Sequence, residues 1–570
     1  MRMTLSKSKN AEQVYITKAY RDENGKSTSK IFKKLGSMAS LLPEHDNDRE
    51  KVIAWAKEQA RIYTEAEKNN TLKVPVEFSQ GKQISFGERM SFNAGYLFLQ
   101  KIYHEMGLKK ICQDISKRHH FQYDLSSILA YLIFTRILSP ASKLSSYEYM
   151  QQFLETPGFE LHDIYRTLDV LDEESNYIQA ALYENTKKNR NDSILYYDCT
   201  NFFFEIEEES GSRKYGKSKE HRPNPIVQFG LFLDGDGIPL AFTVFSGNEN
   251  EQPTLIPLEE RILSDYSLSR FIICTDAGLA STVNRKFNSR ANRSFIVTQS
   301  LKIMKGFLQE WALDPTGWSL GHDGKTYDIS TIDETVHRNS VFHKERWINE
   351  NGLEQRLIVS YSPKYKHYQQ QIRQRQIGRA IKIIDSGTRG RRRNPNSPDR
   401  FIEQIQMTMD GEIAEKTASV LDEERIAKEE KYDGFTAVCT TLEDDITDIL
   451  RVNHRRWEIE ESFRIMKSEF KARPVYLQKD ERIRAHFLTC FLSLLTYRLL
   501  EHKLDEKFTA TEIIRTLRHM NLLHLKGIGY LPEYTRNGIT DALHENFGFR
   551  TDVEIITEKN MKKILKDSKK

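Results

Sequence analysis

The stretch SILYYDCTNFFFEI, residues 193–206, decides the fold of this chain. It begins as a short apolar strand that ends in Asp198, and FFFEI follows after a three-residue turn. The next apolar segments, IVQFGLFLD (226–234) and IPLAFTVFSG (238–247), flank the turn Gly235-Asp236-Gly237. Because short turns join antiparallel neighbours, these segments predict an antiparallel meander.

After the meander, predicted helices alternate with predicted strands. PTLIPLEERILSDY (253–266) is helical in pattern, and the apolar strand RFIICT (270–275) runs directly into Asp276. A helix over 281–290 then leads to the strand SFIVTQ (294–299). Strands reached through helices run parallel to their neighbours, with a right-handed crossover. The predicted fold class is therefore α/β, with a ribonuclease-H-like mixed sheet of strand order 3-2-1-4-5.

The flanking segments predict further units. A hairpin with an Asn-Gly turn is expected at 11–36, and apolar periodicity predicts a helical N-terminal region. The expected units are a hairpin unit and linker (1–85), a helical region (86–190), the first part of the sheet (191–300), a β-rich insertion domain that interrupts it (301–433), its second part (434–505) and a C-terminal helical region (506–570).

The charge distribution is more informative than the total charge. The chain has 570 residues and a formal net charge of only +4, which does not indicate a nucleic-acid partner. Between Lys364 and Arg400, however, eleven Lys and Arg face only two Asp, and Arg391, Arg392 and Arg393 are consecutive. Such a block suits a polyphosphate backbone, although a solvated basic loop would have the same composition.

Cysteine content and hydropathy suggest a cytoplasmic protein. The five cysteines are scattered without a Cys-x-x-Cys pair, so neither a disulfide framework nor a zinc site is expected. The N-terminal residues lack the apolar run of a signal peptide. The longest apolar stretch, 487–500, contains Arg498 and is too short to span a bilayer, so no membrane partner is expected.

Two aspartates end apolar strands that are expected to be parallel neighbours. Asp198 and Asp276 would then face each other at the edge of the sheet, where open α/β sheets bind ligands. Carboxylate oxygens suit Mg²⁺ or Mn²⁺. The alternative is that each aspartate only forms a turn, since Asp is common there.

A third carboxylate comes from NHRRWEIEESFRIMKSEFK, residues 453–471. On a helix, one stripe is apolar and consists of Ile459, Phe463, Met466 and Phe470. The adjacent stripe is charged and consists of Arg456, Glu460, Arg464, Lys467 and Lys471. Glu460 is thus expected at the edge of the buried face, and Glu458 and Glu461 are expected to point more toward solvent. A salt-bridged surface helix is the alternative.

Several fragments together resemble the DDE transposases of bacterial insertion sequences. They are YYDCTNFFFE, GKSKEHRPNPIVQFGLFLDGDGIPL, GNENEQPTLIPL, TDAGLAS and RRWEIEESFRIMK. The resemblance runs from about residue 190 to residue 500, and is to the group with a β-rich domain inserted before the catalytic Glu. That group's third motif reads Tyr-x2-Arg-x3-Glu-x6-Lys. Arg456, Glu460 and Lys467 match it, whereas Asn453 replaces the tyrosine.

The resemblance implies the chemistry of the site. Asp198, Asp276 and Glu460 would be both the catalytic and the metal-binding residues, with two Mg²⁺ or Mn²⁺ ions per active site. Removal of one carboxylate should abolish DNA strand cleavage and leave DNA binding intact. The partners would be double-stranded DNA, as terminal inverted repeats and as target, and a second copy of the chain. The location would be the bacterial cytoplasm, on the nucleoid when bound.

Basic residues supply the expected DNA contacts. The candidates are Arg456, Lys467 and Arg464 on the helix, Lys217, Lys219, His221 and Arg222 in the loop GKSKEHRPNP, and Arg391, Arg392 and Arg393. A solvated turn is the alternative for the loop. The helical region 86–190 and the basic residues of 364–400 are the candidates for recognition of DNA ends.

Two other functions fit the same residues. One is a structure-selective DNA nuclease on the ribonuclease-H-like fold, although a simple nuclease does not need the long insertion. The other is an inactive copy that acts as a DNA-binding repressor, although all three acidic residues are present.

Overall fold

The computed structural model describes residues 1–8, 11–21, 27–68, 76, 79–81, 83–268, 270–321, 323–386, 396–406 and 417–570. The chain divides into two compact units, Met1–Glu88 and Arg89–Lys570. Arg391, Arg392, Arg393 and the Asn24-Gly25 turn lie outside the described residues.

In its described residues, the first unit is a small three-stranded sheet with two α-helices. Its elements are β1 (Arg2–Ser8), β2 (Ala11–Arg21), β3 (Ser27–Ser37), α1 (Met38–Leu41) and α2 (Arg49–Lys68). All its strands are antiparallel, in the order β1-β2-β3. The strands β2 and β3 lie where the hairpin was predicted, and β1 adds a strand that the sequence pattern did not indicate. Val14, Met38, Leu41 and Val52 form its apolar core.

The second unit begins with a strand and a group of helices. These elements are β4 (Ser91–Asn93), α3 (Tyr96–Glu105), α4 (Leu108–Arg118), α5 (Leu125–Leu138), α6 (Lys143–Met150), α7 (Leu161–Glu173) and α8 (Ser175–Thr186). Asp124 caps α5 by accepting a hydrogen bond from the Ser127 amide at 3.1 Å. Because α5 is apolar on all sides, it packs inside the helical group.

The following segment builds a mixed sheet with connecting helices. Its elements are β5 (Ile194–Phe203), β6 (Ile226–Asp234), β7 (Pro239–Ser246), α9 (Leu255–Asp265), β8 (Ile272–Thr275), α10 (Thr282–Phe287), β9 (Ser294–Gln299), α11 (Gly306–Leu313), β10 (Ser319–Leu320), β11 (Phe342–Glu350), β12 (Leu353–Tyr361), α12 (Pro363–Asp385), β13 (Ile402–Gln406), β14 (Thr417–Leu421), α13 (Glu423–Glu430) and β15 (Phe435–Thr440).

The described strands of this sheet stand in the order β10-β11-β12-β15-β9-β8-β5-β6-β7, whereas β13 and β14 pair with each other in a separate antiparallel sheet. The pairs β5–β6 and β6–β7 are antiparallel, whereas β5–β8 and β8–β9 are parallel. Gly237 in the tight turn between β6 and β7 has a φ of 77°, which a residue without a side chain adopts at little cost.

Two features differ from the sequence prediction. No turn interrupts residues 199–201, because β5 continues through Asp198 and pairs with β6 as far as Phe203. In addition, β10, β11 and β12 come from the segment predicted as a separate insertion domain, yet they extend the same sheet. They do so because β15 pairs with both β9 and β12 and so joins the two groups of strands.

The chain ends in helices and a second small sheet. These elements are α14 (Ile446–His454), α15 (Trp457–Arg464), α16 (Asp480–Lys503), α17 (Ala510–His519), β16 (Asn521–Leu525), β17 (Gly529–Pro532), α18 (Gly538–Phe547), β18 (Ile556–Thr557) and α19 (Glu558–Asp567). The strands of this sheet stand in the order β18-β17-β16-β4. The C-terminal region was expected to be helical, but it therefore also contains strands.

The helix predicted over 446–471 is divided into three parts. A break after His454 separates α14 from α15, and a π-helical turn, Ile465–Glu469, follows α15. The predicted apolar stripe of Ile459, Phe463, Met466 and Phe470 is buried in the main core. These elements thus pack on the sheet as the periodicity of the stripe requires.

The two faces of β5 separate two cores. Tyr196 and Phe202 belong to the core that also contains Ile459 and Phe463 of α15, whereas Tyr197 belongs to the core on the opposite face. Asp198 alternates with Tyr197 and therefore points to the face that α15 covers.

Among the described residues, no single helix has both the length and the apolar character needed to cross a membrane. The helices α5 and α6 reach that length and apolar character only when they are taken together, and they are bent by 98° at their junction.

Candidate active site

Asp198 and Asp276 are neighbours because their strands run parallel in register. The last register pair between β5 and β8 is Tyr196 with Cys274, two residues before each aspartate. The ladder of β8 ends one residue before Asp276, whereas β5 continues past Asp198. The Asp276 carboxylate is among the charges that act on Asp198. Two carboxyl groups therefore meet at the edge where β8 ends.

The local structure leaves room around Asp276. Its carboxylate accepts a hydrogen bond from the Leu279 amide at 3.0 Å and so caps the 3-10 turn Ala277–Leu279. A Cβ atom added to Gly278 would lie 3.3 Å from both oxygens of this carboxylate. A glycine at this position thus keeps one side of the carboxylate open.

Asp198 is held in a partly buried environment. Its Oδ1 accepts a hydrogen bond from the Cys199 amide at 2.7 Å. Burial raises the pKa of Asp198 to about 6, the cation of Lys219 opposes the rise, and repulsion by Asp276 adds to it. Ionisation of Asp198 in this buried position is therefore costly, and a bound cation would reduce that cost.

Lys219 lies beside Asp198 and is a component of this site. Its Nζ pairs with Glu251 Oε1 at 3.1 Å and donates a hydrogen bond to the carbonyl of Cys199. Burial alone would lower the pKa of Lys219, but the attraction of Asp198 and Glu251 outweighs burial and raises it. The sequence suggested only a backbone contact to DNA for this lysine.

The helix α14, which precedes the helix of Glu460, is fixed to the sheet by hydrogen bonds. Tyr196 of β5 donates to the Val452 carbonyl of α14 at 3.1 Å. Asn453 Oδ1 accepts a hydrogen bond from Thr298 of β9 at 3.2 Å. The residue that replaces the family's tyrosine therefore connects α14 to the sheet.

Arg456 and Lys467 bring positive charge to the same site. Both interact electrostatically with Asp198. The Nε atom of Arg456 is buried and has no hydrogen-bond partner within the described part of the chain. Burial, together with repulsion by Lys219, lowers the pKa of Lys467 to about 8. Lys467 lies in the π-helical turn, a distortion that is frequent at functional sites.

Glu460 is exposed, and within the described ranges it has no hydrogen bond or ion pair. It lies four residues after Arg456 and seven residues before Lys467 on the same helical segment. The charges of Arg456 and Lys467 both act on Asp198. Across the residues that the structure describes, no group of three or more His, Cys, Asp or Glu is placed to bind a metal ion. Asp198 and Asp276 offer the oxygen atoms that a divalent cation prefers, and the metal-binding role of all three carboxylates remains a prediction.

The other acidic residues of α15 have different roles. The prediction that Glu458 points toward solvent is wrong, because the side chain is buried and pairs with Arg498 Nη2 at 3.4 Å. Glu461 forms an ordinary surface pair with Arg464 at 2.5 Å. Arg464, a predicted DNA contact, is therefore already paired with a carboxylate.

The loop GKSKEHRPNP lies next to the paired aspartates. Lys217, His221 and Arg222 are exposed, and the Arg222 guanidinium lies 4.2 Å from the centroid of the Phe203 ring. Glu220 pairs with Lys467 at 3.5 Å and also with Arg473. Through Arg222 and Glu220, this loop therefore contacts both the end of β5 and the π-helical turn.

Sequence reasoning assigned no role to Glu251, Glu220 or Arg473. Glu251 lies in GNENEQPTLIPL and Glu220 in GKSKEHRPNP, two fragments that carried the resemblance, so a signal for both was present. Arg473 lies beyond Lys467, the last residue of the third motif, and beyond the helix that the apolar periodicity predicted. Two carboxylates, flanked by Lys219, Arg456 and Lys467, can bind cations and place a phosphate beside them.

The family model described as the transposase DDE domain matches residues 198–496, which is more than half of the chain and begins at Asp198. No curated protein sequence matches the chain. A structure of the piggyBac transposase synaptic complex with hairpin DNA aligns with 8% identity, a TM-score of 0.37 and coverage of 82% of this chain and 87% of that one. The Mos1 transposase paired-end complex with the left transposon end aligns with 12% identity, a TM-score of 0.13 and coverage of 41% and 64%. From the match over residues 198–496, this chain belongs to the family of transposases with a DDE domain.

Proposed function

We propose that this protein is a metal-dependent DNA transposase that cuts the ends of an insertion sequence and joins the freed 3′-hydroxyls to target DNA. The observation that carries the proposal is the juxtaposition of Asp198 and Asp276, each two residues after the last register pair of the parallel strands β5 and β8. Its substrates would be double-stranded DNA at terminal inverted repeats and at a target site. It would act as a homodimer in the bacterial cytoplasm.

Asp198, Asp276 and Glu460 would hold two Mg²⁺ or Mn²⁺ ions. Such ions, when bound, activate an oxygen nucleophile and stabilise the leaving oxygen in a displacement at phosphorus. Gly278 supports this assignment, because a residue without a side chain at this position leaves the Asp276 carboxylate accessible. The exposed position of Glu460 supports it too, because an exposed side chain on α15 is free to change rotamer.

The residues around the carboxylates would orient the substrate. Lys219 and its partner Glu251 would hold the Asp198 backbone segment in place through the Cys199 carbonyl. Arg456 and Lys467 would bind the DNA phosphates on either side of the scissile bond. Lys217, His221 and Arg222, together with Arg464, would contact the backbone farther away.

The experiment is a nicking assay on DNA that carries the element's ends. We expect Asp198→Asn, Asp276→Asn and Glu460→Gln each to abolish cleavage in Mg²⁺ while DNA affinity remains. Glu461→Gln is the matched control, because it removes the neighbouring carboxylate of the same helix. Ca²⁺ should permit binding without cleavage, because its coordination is less strict. If Glu460→Gln cleaves as well as Glu461→Gln does, Glu460 is not a ligand.

A second assay separates transposition from the other two functions. DNA with pre-cut ends should be joined to a target plasmid by the wild-type protein, whereas a nuclease would cut without joining. Binding to the ends without metal-dependent cleavage would instead indicate a repressor.

A further inference from the structure

A cationic cavity lies beside the active site, between α5, α6 and the segment after the π-helical turn. Its volume is about 600 Å³. Arg136, Lys143, Lys471, Arg473 and His486 contribute to its lining, and none of the lining residues is Asp or Glu. Such an excess of positive charge in a concave site favours anions.

Lys143 is the unusual residue of this cavity. It is only 6% exposed, and within the described residues it has no hydrogen bond or ion pair. Burial and repulsion by Arg136 lower the pKa of Lys143 to about 7. A buried ammonium group without a carboxylate partner is costly, and a bound anion would remove that cost.

Arg136 adds a second buried charge. Its two terminal nitrogens donate to the carbonyls of Phe470 and Ala141, each at 3.3 Å, but its buried Nε has no partner in the described part of the chain. Arginine stays protonated at neutral pH, so Arg136 adds a fixed positive charge to the lining that also contains Lys143. Burial and these two cations keep the pKa of His486 well below its usual range, so this ring is neutral.

The first turn of α6 borders the same cavity. Ser142 caps this helix by accepting a hydrogen bond from the Ser145 amide at 3.2 Å, and residues 142–145 all line the cavity. Free amide groups and the helix dipole at such an end favour negative charge. The mouth of the cavity carries the exposed Lys471 and Tyr476.

Contacts connect this cavity to the active site. Arg473 pairs with Glu220, which also pairs with Lys467 at 3.5 Å. The Arg473 guanidinium lies 5.3 Å from the centroid of the Phe203 ring, at the end of the strand that carries Asp198. A DNA strand that follows Lys467 would therefore reach the mouth of the cavity by way of Arg473.

We propose that this cavity binds a phosphate group of the DNA backbone, outside the scissile position, through Lys143, Arg136 and the first turn of α6. This inference rests on the proposed function, since it assumes that DNA is the substrate. The cavity would fix the position of the DNA relative to the carboxylates without taking part in the chemistry.

The test uses Lys143→Met in the full-length protein, because methionine keeps the volume and removes the charge. Lys562→Met removes the same charge from an exposed position on α19 and is the matched control. Inorganic phosphate, at constant ionic strength with chloride as reference, should raise the Tm of the wild type and of Lys562→Met saturably. Lys143→Met should lose this gain in Tm, and its affinity for an end duplex should fall about 10-fold.

The outcomes separate the possible ligands. If phosphate stabilisation is lost but DNA affinity equals that of Lys562→Met, the cavity binds a free phosphate compound and the proposal for DNA is overturned. If Lys143→Met matches Lys562→Met in both measurements, the cavity is not an anion site. Should Lys143→Met fail to fold, Lys471→Gln at the exposed mouth serves in its place, with a smaller expected loss of DNA affinity.

The proposed function can fail independently of the cavity. A variant Asp198→Asn that still cleaves DNA would refute the catalytic assignment, yet stabilisation by phosphate through Lys143 would be unaffected. Conversely, if the wild-type protein cleaves DNA and Lys143→Met binds DNA with the wild-type affinity, only the role of the cavity is refuted.

Discussion

Arg498 of α16 and Glu458 of α15 form a buried contact that fixes the helix of Glu460. The Nη2 group of Arg498 donates to the Glu458 carbonyl and to Ser462 Oγ, both at 3.0 Å, and lies 3.4 Å from Glu458 Oε2. Because both side chains are buried, this pair sets the position of α15 relative to the core.

Replacement of Arg498 by methionine should destabilise the protein strongly. Glu458 would then remain buried without its partner, and loss of one member of such a pair costs about 3–5 kcal/mol. Urea denaturation followed by circular dichroism measures the free energy of unfolding. The double variant Arg498→Met/Glu458→Met should recover part of the loss, because the buried charge of Glu458 is removed, whereas Glu501, which Arg498 also pairs with at 2.7 Å, remains. An Arg498→Met protein as stable as the wild type would show that the pair does not hold the helix.

The stability of the metal-free protein should depend on pH through Asp198. Burial raises the pKa of this carboxyl to about 6, so between pH 4 and 6 the folded state binds a proton that the unfolded state has already lost. Stability should therefore fall as the pH rises through this interval and change little from this source above it. Thermal unfolding in EDTA at several pH values measures this, and Asp198→Asn should lack this part of the dependence.

Addition of Mg²⁺ at pH 7.5 should reverse the effect in the wild type. A bound cation compensates the charge of Asp198 and Asp276, and any ligand that binds only the folded state raises the Tm. Asp198→Asn should gain less from Mg²⁺ than Glu461→Gln. Equal gains in the two variants would argue against a metal site at Asp198.

Glu259 of α9 should also oppose folding at high pH. It is fully buried, and Asn288 donates a hydrogen bond to Oε2 at 3.0 Å, whereas Oε1 accepts no hydrogen bond from the described residues and lies 3.9 Å from Arg293 Nε. Burial raises the pKa of Glu259 to about 7, so its ionisation costs stability as the pH rises toward that value. Glu259→Gln should be more stable than the wild type by about 1–3 kcal/mol at pH 8. At pH 4 the difference should vanish, and urea titrations at both pH values provide the comparison.

Lys467 should contribute one phosphate contact to DNA binding. Lys467→Met should lower the affinity for an end duplex and reduce the slope of log affinity against log salt by about 1. Lys562→Met, an exposed lysine of α19, is the control and should leave both quantities almost unchanged. Fluorescence anisotropy between 50 and 200 mM salt, the range over which such contacts weaken strongly, measures the slope. A wild-type slope in Lys467→Met would exclude this contact.

Local patterns in the sequence were sufficient for the centre of the sheet and for its two aspartates. Apolar runs that end at Asp198 and Asp276, joined through helices, predicted the parallel pair because such connections have few alternatives. The buried stripe of α15 was predictable for a similar reason, since helical periodicity is a local property. Where the periodicity was interrupted, at the break after His454 and at the π-helical turn, the pattern gave no warning.

Contacts between distant segments were beyond the reach of these patterns. Glu458 was expected in solvent, and it is buried because Arg498, forty residues later, supplies a partner. Lys219 belongs beside Asp198 because the loop before β6 folds back along β5, where Asn201 Oδ1 accepts a hydrogen bond from the Lys219 amide at 3.2 Å. Likewise, β15 joins β9 to β12, so strands from the expected insertion extend one sheet.

The sequence by itself therefore determined the types of the central elements, their order and the two acidic strand positions, because short-range periodicity and connection rules govern them. Only the tertiary structure decided which charges are buried, which cations accompany Asp198 and how the cationic cavity is enclosed. The physical reason is that the pKa and the pairing of a charged group depend on neighbours brought together from remote parts of the chain, whereas the local sequence specifies only its own backbone conformation.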